Sequence, residues 1–137
     1  MNIYNVDDKE FINSDLYKEF ITQNSENGYL RIRAYSASQA IPVRGLKIVV
    51  SKMIDNSIVI FYEGYTDESG VIEKISLPAP KLGINDLNVP NFTTYDITAT
   101  IKDSNRVYKV NLYENVYVIQ NINISPDTKE IGDLFGN

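Results

Sequence analysis

The chain has no cysteine, no histidine and no tryptophan. Without cysteine there is no disulfide, no thiolate nucleophile and no cysteine-ligated zinc. Without histidine the commonest general base, the commonest metal ligand and the serine–histidine dyad are all missing. No apolar run approaches the roughly 18 residues that span a bilayer. The stretch Met1–Asp8 has neither a basic region nor an apolar core, so no secretory signal is expected and the protein is cytoplasmic as synthesised, with incorporation into a spore or particle as the later fate to consider. Cationic residues are outnumbered, 13 against 18, for a net charge of −5. That balance repels phosphate backbones and anionic lipid, so neither nucleic acid nor membrane insertion is expected.

What the chain does contain is β-structure punctuation. The 137 residues make one domain by size. Ten tyrosines against no tryptophan fit strands better than an aromatic binding platform. In Tyr65–Pro80 a strand meets a tight turn: the Asp67 carboxylate is placed to accept from amides two residues on, and Gly70 to take a positive φ. The returning strand stops at Pro78 and Pro80, which lack the N–H that a central strand needs.

Periodicity divides the chain. Residues 1–27 form a helical segment: Phe11, Ile12, Leu16, Tyr17, Phe20 and Ile21 draw one apolar stripe over 10–23, Asp7 and Asp8 lie where an N-cap belongs, and Asn24–Gly28 supplies a stop. From residue 28 the period becomes two. Leu30, Ile32 and Ala34 alternate with Arg31, Arg33 and Tyr35; Leu46, Ile48 and Val50 alternate with Lys47 and Ser51. Asp55-Asn56 makes a hairpin turn into the strand 58–65. Strands follow over 71–77, 96–101, 107–113 and 116–124, with Glu114-Asn115 as a two-residue turn. This spacing predicts a mainly β fold, a seven-stranded antiparallel Greek-key sandwich over 28–126 with one short N-terminal helix and a C-terminal tail over 127–137.

The order of short motifs then resembles a known family. Ile-Pro-Val-Arg-Gly (41–45), Tyr-Thr-Asp-Glu-Ser-Gly (65–70), Ile-Ser-Leu-Pro-Ala-Pro (75–80), Thr-Tyr-Asp-Ile-Thr-Ala-Thr (94–100) and Val-Ile-Gln-Asn-Ile-Asn-Ile-Ser-Pro (118–126) resemble a carboxypeptidase regulatory-like, or prealbumin-like, domain. The Leu-Pro-Ala-Pro stop and the Gln-Asn-Ile ending are similar to a variant in spore cortex-lytic and peptidoglycan-acting proteins of Gram-positive spore formers. The resemblance implies a fold and an accessory role with no chemistry of its own. Hydrolases of the related transthyretin-like type depend on histidines, which this chain lacks. A lysine–asparagine isopeptide, formed in some related adhesin sandwiches, needs a core-facing lysine in the first strand. That strand offers only Arg31 and Arg33, both on its polar face.

Other chemistry is weakly signalled. Glu63, Asp67, Glu68, Glu73 and Asp96 are carboxylates in turns or on polar faces, where solvation is the default. No cofactor and no metal site is expected. The function expected is a non-catalytic structural or adaptor module in an envelope- or spore-related assembly. The alternatives are a glycan- or peptide-binding accessory module for a separate peptidoglycan-acting enzyme, and a phage-tail-like particle component. The expected partner is another protein or a second copy, with cell-wall glycan as the other candidate. Phe11, Tyr17 and Phe20 are the candidate partner contacts, against the simpler reading that the helix packs on its own sandwich. Tyr65, Leu87 and Tyr95, around the long irregular stretch 78–93, are the candidate ligand residues.

Overall fold

A computed structural model describes residues 1–36, 41–83, 90–101 and 104–124. The described elements are β1 (Asn2–Asn5), α1 (Lys9–Ile12), α2 (Asp15–Gln23), β2 (Glu26–Ser36), β3 (Ile41–Pro42), β4 (Lys47–Ile54), β5 (Ser57–Tyr65), β6 (Val71–Ala79), β7 (Thr93–Ile101), β8 (Ser104–Leu112) and β9 (Tyr117–Ile124). They form a mainly β sandwich of two mixed sheets. The larger has the order β1-β5-β4-β7-β8. In the smaller, β2 is central: β6 and the short β3 pair along one side of it, and β9 pairs with β2 as well.

Two features differ from the sequence expectation. Nine strands are described rather than seven, and they are not all antiparallel. β1 runs parallel to β5, with Asn2 beside Ser57 and Asn5 beside Ile60. β9 runs parallel to β2 over Tyr29↔Tyr117 to Ser36↔Ile124.

The single expected helix is also two. Asn13 and Ser14 break it, because both side chains compete for backbone partners. Asn13 Nδ2 donates to Lys9 O at 2.9 Å, closing α1. Ser14 Oγ accepts from Tyr17 N at 3.3 Å, capping α2. Asp8 caps α1 by accepting from Glu10 N, as its position predicted. Asn24, rather than Gly28, ends α2, with both its backbone N–H and its side-chain amide donating to Phe20 O. Gly28 instead lies inside β2, where a Cβ would come 2.7 Å from Tyr113 O. Glycine is needed there for close approach. No helix among the described residues is long and apolar enough to cross a membrane.

The core follows from strand parity. Leu30, Ile32 and Ala34 of β2, Ile48 and Val50 of β4, Ile75 and Leu77 of β6, Tyr95, Ile97, Ala99 and Ile101 of β7, and Ile122 and Ile124 of β9 all turn inward and are buried. Each such aliphatic side chain contributes about 1.5–3 kcal/mol of burial free energy. The Asp67–Gly70 turn forms as expected. Asp67 Oδ1 accepts from Ser69 N at 2.8 Å and Val71 N at 3.0 Å, and Gly70 has φ +74. Pro78 lies within β6, opposite Asn27, and β6 is an edge strand, where a missing N–H costs no ladder bond.

Candidate functional site

The helical residues offered as partner contacts belong to the domain's own interior. Phe11 and Phe20 are buried, and Tyr17 is half-buried between them. They lie in a continuous line of rings. Tyr4 stacks on Phe11 at 4.8 Å, and Phe11 meets Tyr17 at 5.2 Å. Tyr17 then meets Phe20 at 6.3 Å, Phe20 meets Phe61 at 5.7 Å, and Phe61 meets Tyr95 edge-on at 5.2 Å. Each such pair is worth about 0.5–1.5 kcal/mol beyond its area. The helices therefore close one flank of the sandwich, and the expected partner contact there is corrected. Burial also pushes the Tyr17 hydroxyl up from its ordinary value.

The expected ligand residues do not come together either. Tyr95 is 0% exposed, and its hydroxyl donates to Pro78 O, tying β7 to β6. It is a core residue, with its ionisation pushed up by burial first and by the nearby Tyr17 second. Tyr65 is 62% exposed and pairs with Lys47, which also pairs with Thr100. That sets Tyr65 level with Thr100, roughly 17 Å along β7 from Tyr95. Leu87 lies outside the described residues.

One half-buried amine stands beside Tyr95. The β4–β7 ladder ends at Ser51↔Asp96. Beyond it Lys52 Nζ donates to Thr94 O at 2.8 Å and lies 5.8 Å from the Tyr95 ring centroid. Desolvation lowers the affinity of Lys52 for its proton; Asp96 pulls the other way and Lys109 adds to the lowering. Asp96 is itself paired with Lys109 at 2.7 Å. The arrangement satisfies its own groups and anchors the sheet end.

The outer face of the smaller sheet is different. Alternation along β2 turns Tyr29, Arg31, Arg33 and Tyr35 to one side, about 7 Å apart in sequence order. A bulge in β6 sets Glu73 and Lys74 together in this region, because Leu30 pairs with Ile75 while Ile32 pairs with Ile72. Glu73 takes Arg31 at 3.6 Å, and Lys74 Nζ lies 4.6 Å from the Tyr29 ring centroid. From β9, Tyr117 stacks on Tyr29 at 5.0 Å. Tyr117 and Ile119 remain 54% and 52% exposed. Arg33 lies 6.0 Å from the Tyr35 ring and makes no ion pair among the described residues. Arg33 and Tyr35 also line an open cleft of about 280 Å³ with Pro42, Glu68 and Ser69. On its rim Arg44 reaches Glu68 at 3.6 Å.

This face gathers four cations against two acids in a chain whose net charge is −5. Arg31 Nε is buried without a hydrogen-bond partner among the described residues, a desolvation cost of about 1–3 kcal/mol. Sequence reasoning put Arg31, Arg33 and Tyr35 on the polar face but gave them no role. The readable signal was the symmetric order Tyr-x-Arg-x-Arg-x-Tyr over 29–35.

No protein-family profile matches the sequence, and no curated protein matches it. Solved structures do. The 5-hydroxyisourate hydrolase of Klebsiella pneumoniae is similar with a TM-score of 0.51 and 15% identity, over 74% of this chain and 92% of that one. The (S)-allantoin synthase is similar with a TM-score of 0.53 and 10% identity, over 82% of this chain and 45% of that one. The Bacillus anthracis TIE protein is similar with a TM-score of 0.50 and 13% identity, over 73% of this chain and 16% of that one. At such identities the likeness shows the fold, a prealbumin-like β-sandwich. The neighbours include a hydrolase and a synthase by name.

Proposed function

We propose that this chain is a non-catalytic adaptor module, and that it engages a protein partner through the outer face of the β6-β2-β9 sheet. The observation that carries this reading is the row Tyr29, Arg31, Arg33, Tyr35, half-buried on one face, with Arg33 making no ion pair among the described residues. Aromatic and arginine side chains held rigid on a strand are what interface cores favour. A chain without histidine or cysteine also lacks the usual means of acid–base and nucleophilic catalysis. The motif resemblance over 75–80 and 118–126 is our reason for reading the assembly as envelope- or spore-associated.

Site-directed photo-crosslinking tests this. A crosslinker at position 29 or 35 should yield discrete adducts in cells, and one at Thr98 on the opposite sheet should yield none. Adducts from position 98 alone, or from neither face, would refute the reading.

A further inference from the structure

Resting on that reading, we infer that the partner segment is an extended acidic polypeptide with carboxylates at every second residue, laid along β2. The period of the arginine row matches that of an extended peptide. Arg31 and Arg33 sit two residues apart on one strand face, so their guanidinium groups are rooted about 7 Å apart. An extended peptide repeats its same-side side chains at the same spacing. Acids at i and i+2 therefore fall over Arg33 and over Arg31, whose fork would be shared with Glu73, whereas adjacent acids point to opposite sides and only one can be met.

Geometry favours the carboxylate as the group recognised. The guanidinium fork matches its two oxygens. The bracketing rings complete the pattern. Tyr29 with Tyr117 lies at one end and Tyr35 at the other, so apolar residues two positions before and two after the acids would rest against the outward edges of these rings. The occupant's pattern is thus apolar-x-acid-x-acid-x-apolar, the complement of Tyr-x-Arg-x-Arg-x-Tyr. The competing polyanions fit less well. A nucleic acid strand brings one charge per nucleotide against a chain of net charge −5, and its binding needs a longer cationic track than two arginines. An acidic glycan spaces its carboxylates by sugar rings, out of step with a strand.

The test is fluorescence anisotropy on the full chain with a dye-labelled peptide Leu-Thr-Glu-Thr-Glu-Thr-Leu at low salt. The comparison peptides are its adjacent-acid isomer Leu-Thr-Thr-Glu-Glu-Thr-Leu and the Gln-for-Glu version. A polyuronate oligosaccharide and single-stranded DNA are added as probes. The in-phase peptide should bind about tenfold more tightly than the isomer, one charge-assisted contact being worth about that factor. Its binding should fall by about tenfold or more in Arg33→Gln, further in Arg31→Gln/Arg33→Gln, and not at all in Lys109→Gln. Equal binding of the in-phase and adjacent-acid peptides would overturn the inference. So would binding of polyuronate or DNA, lost in Arg33→Gln, with no peptide binding; in that case the adaptor surface would stand and only its ligand class would fall. No binding of any probe would overturn it too, and silence of the crosslinkers at 29 and 35 in the same preparation would take the adaptor reading with it. Arg33→Gln alone is the decisive variant, since Arg33 has no ion pair among the described residues and its replacement leaves none broken.

Discussion

On the outer face of the larger sheet, Thr94 donates to Asn111 at 2.7 Å, Thr100 to Asn105 at 2.9 Å, and Lys109 to Asp96 at 2.7 Å. Lys47 meets Glu63 at 3.2 Å. On the outer face of the smaller sheet, Tyr29, Arg31, Arg33 and Tyr35 stand in a row whose cations outnumber their acids. Both faces come from the same alternation of strands over one core. The first closes its polar groups in cross-strand pairs and so contributes to the sheet itself. The second leaves hydrogen-bonding capacity and charge facing outward. A surface that has used up its partners internally has little to offer another molecule, and the contrast directs attention to β2.

The largest effect should come from the core that both faces share. Tyr95→Ala should destabilise the domain by about 3–5 kcal/mol in chemical denaturation, through its cavity and the lost Pro78 contact. Tyr95→Phe, which leaves Pro78 O unmet, should cost about 1 kcal/mol. If Tyr95→Ala altered one face and spared the other, the two would not rest on a common core. Alkaline titration is the next test. Burial raises the folded-state ionisation of Tyr17, Tyr62 and Tyr95 above the ordinary tyrosine value of about 10. Their contribution is whole below pH 10 and is lost as pH climbs past it, because only the unfolded chain then ionises freely. The last part of the tyrosinate absorbance, that of these three rings, should therefore appear only together with unfolding by circular dichroism; absorbance rising fully in a folded chain would contradict the burial.

Smaller effects separate the faces. Arg33→Glu should cut capture of the crosslinked partner at least tenfold while leaving stability within about 0.5 kcal/mol. Lys109→Gln should leave capture unchanged and cost only about 0.5 kcal/mol, the usual worth of an exposed pair. A double-mutant cycle on Thr94 and Asn111 should return a coupling of about 0.5 kcal/mol. A coupling near zero would mean that the larger face is no more self-satisfied than the smaller.

Much of this was legible in the chain. Alternation located β2 and β4 through β9. The turns at Asp55 and Asn115 do adopt positive φ, 52 and 59. Parity also held the answer for Tyr95, which is in phase with Ile97, Ala99 and Ile101; treating it as a surface residue ignored its own strand. β1 was not legible, because Asn-Ile-Tyr-Asn is too short to show a period. Nor was the parallel seating of β9, since its partner is chosen by the whole sandwich and by nothing local. The site was half legible. Arg31 and Arg33 read as surface residues, but that Glu73, Lys74 and Tyr117 join them depends on a bulge and a long-range pairing.

That pairing also sets an order of events. Tyr29 lies beside Tyr117 in β9, about 88 positions later in the chain, and contacts so far apart in sequence are slow to form. As the polypeptide leaves the ribosome, β2 emerges before β6 and β9 and can meet β6 on one side. Its other edge stays open until β9 arrives. The aromatic and basic row is therefore only half built until β9 has emerged. Tyr29 gains its stacking partner, and β2 its second neighbour, in the same closing step.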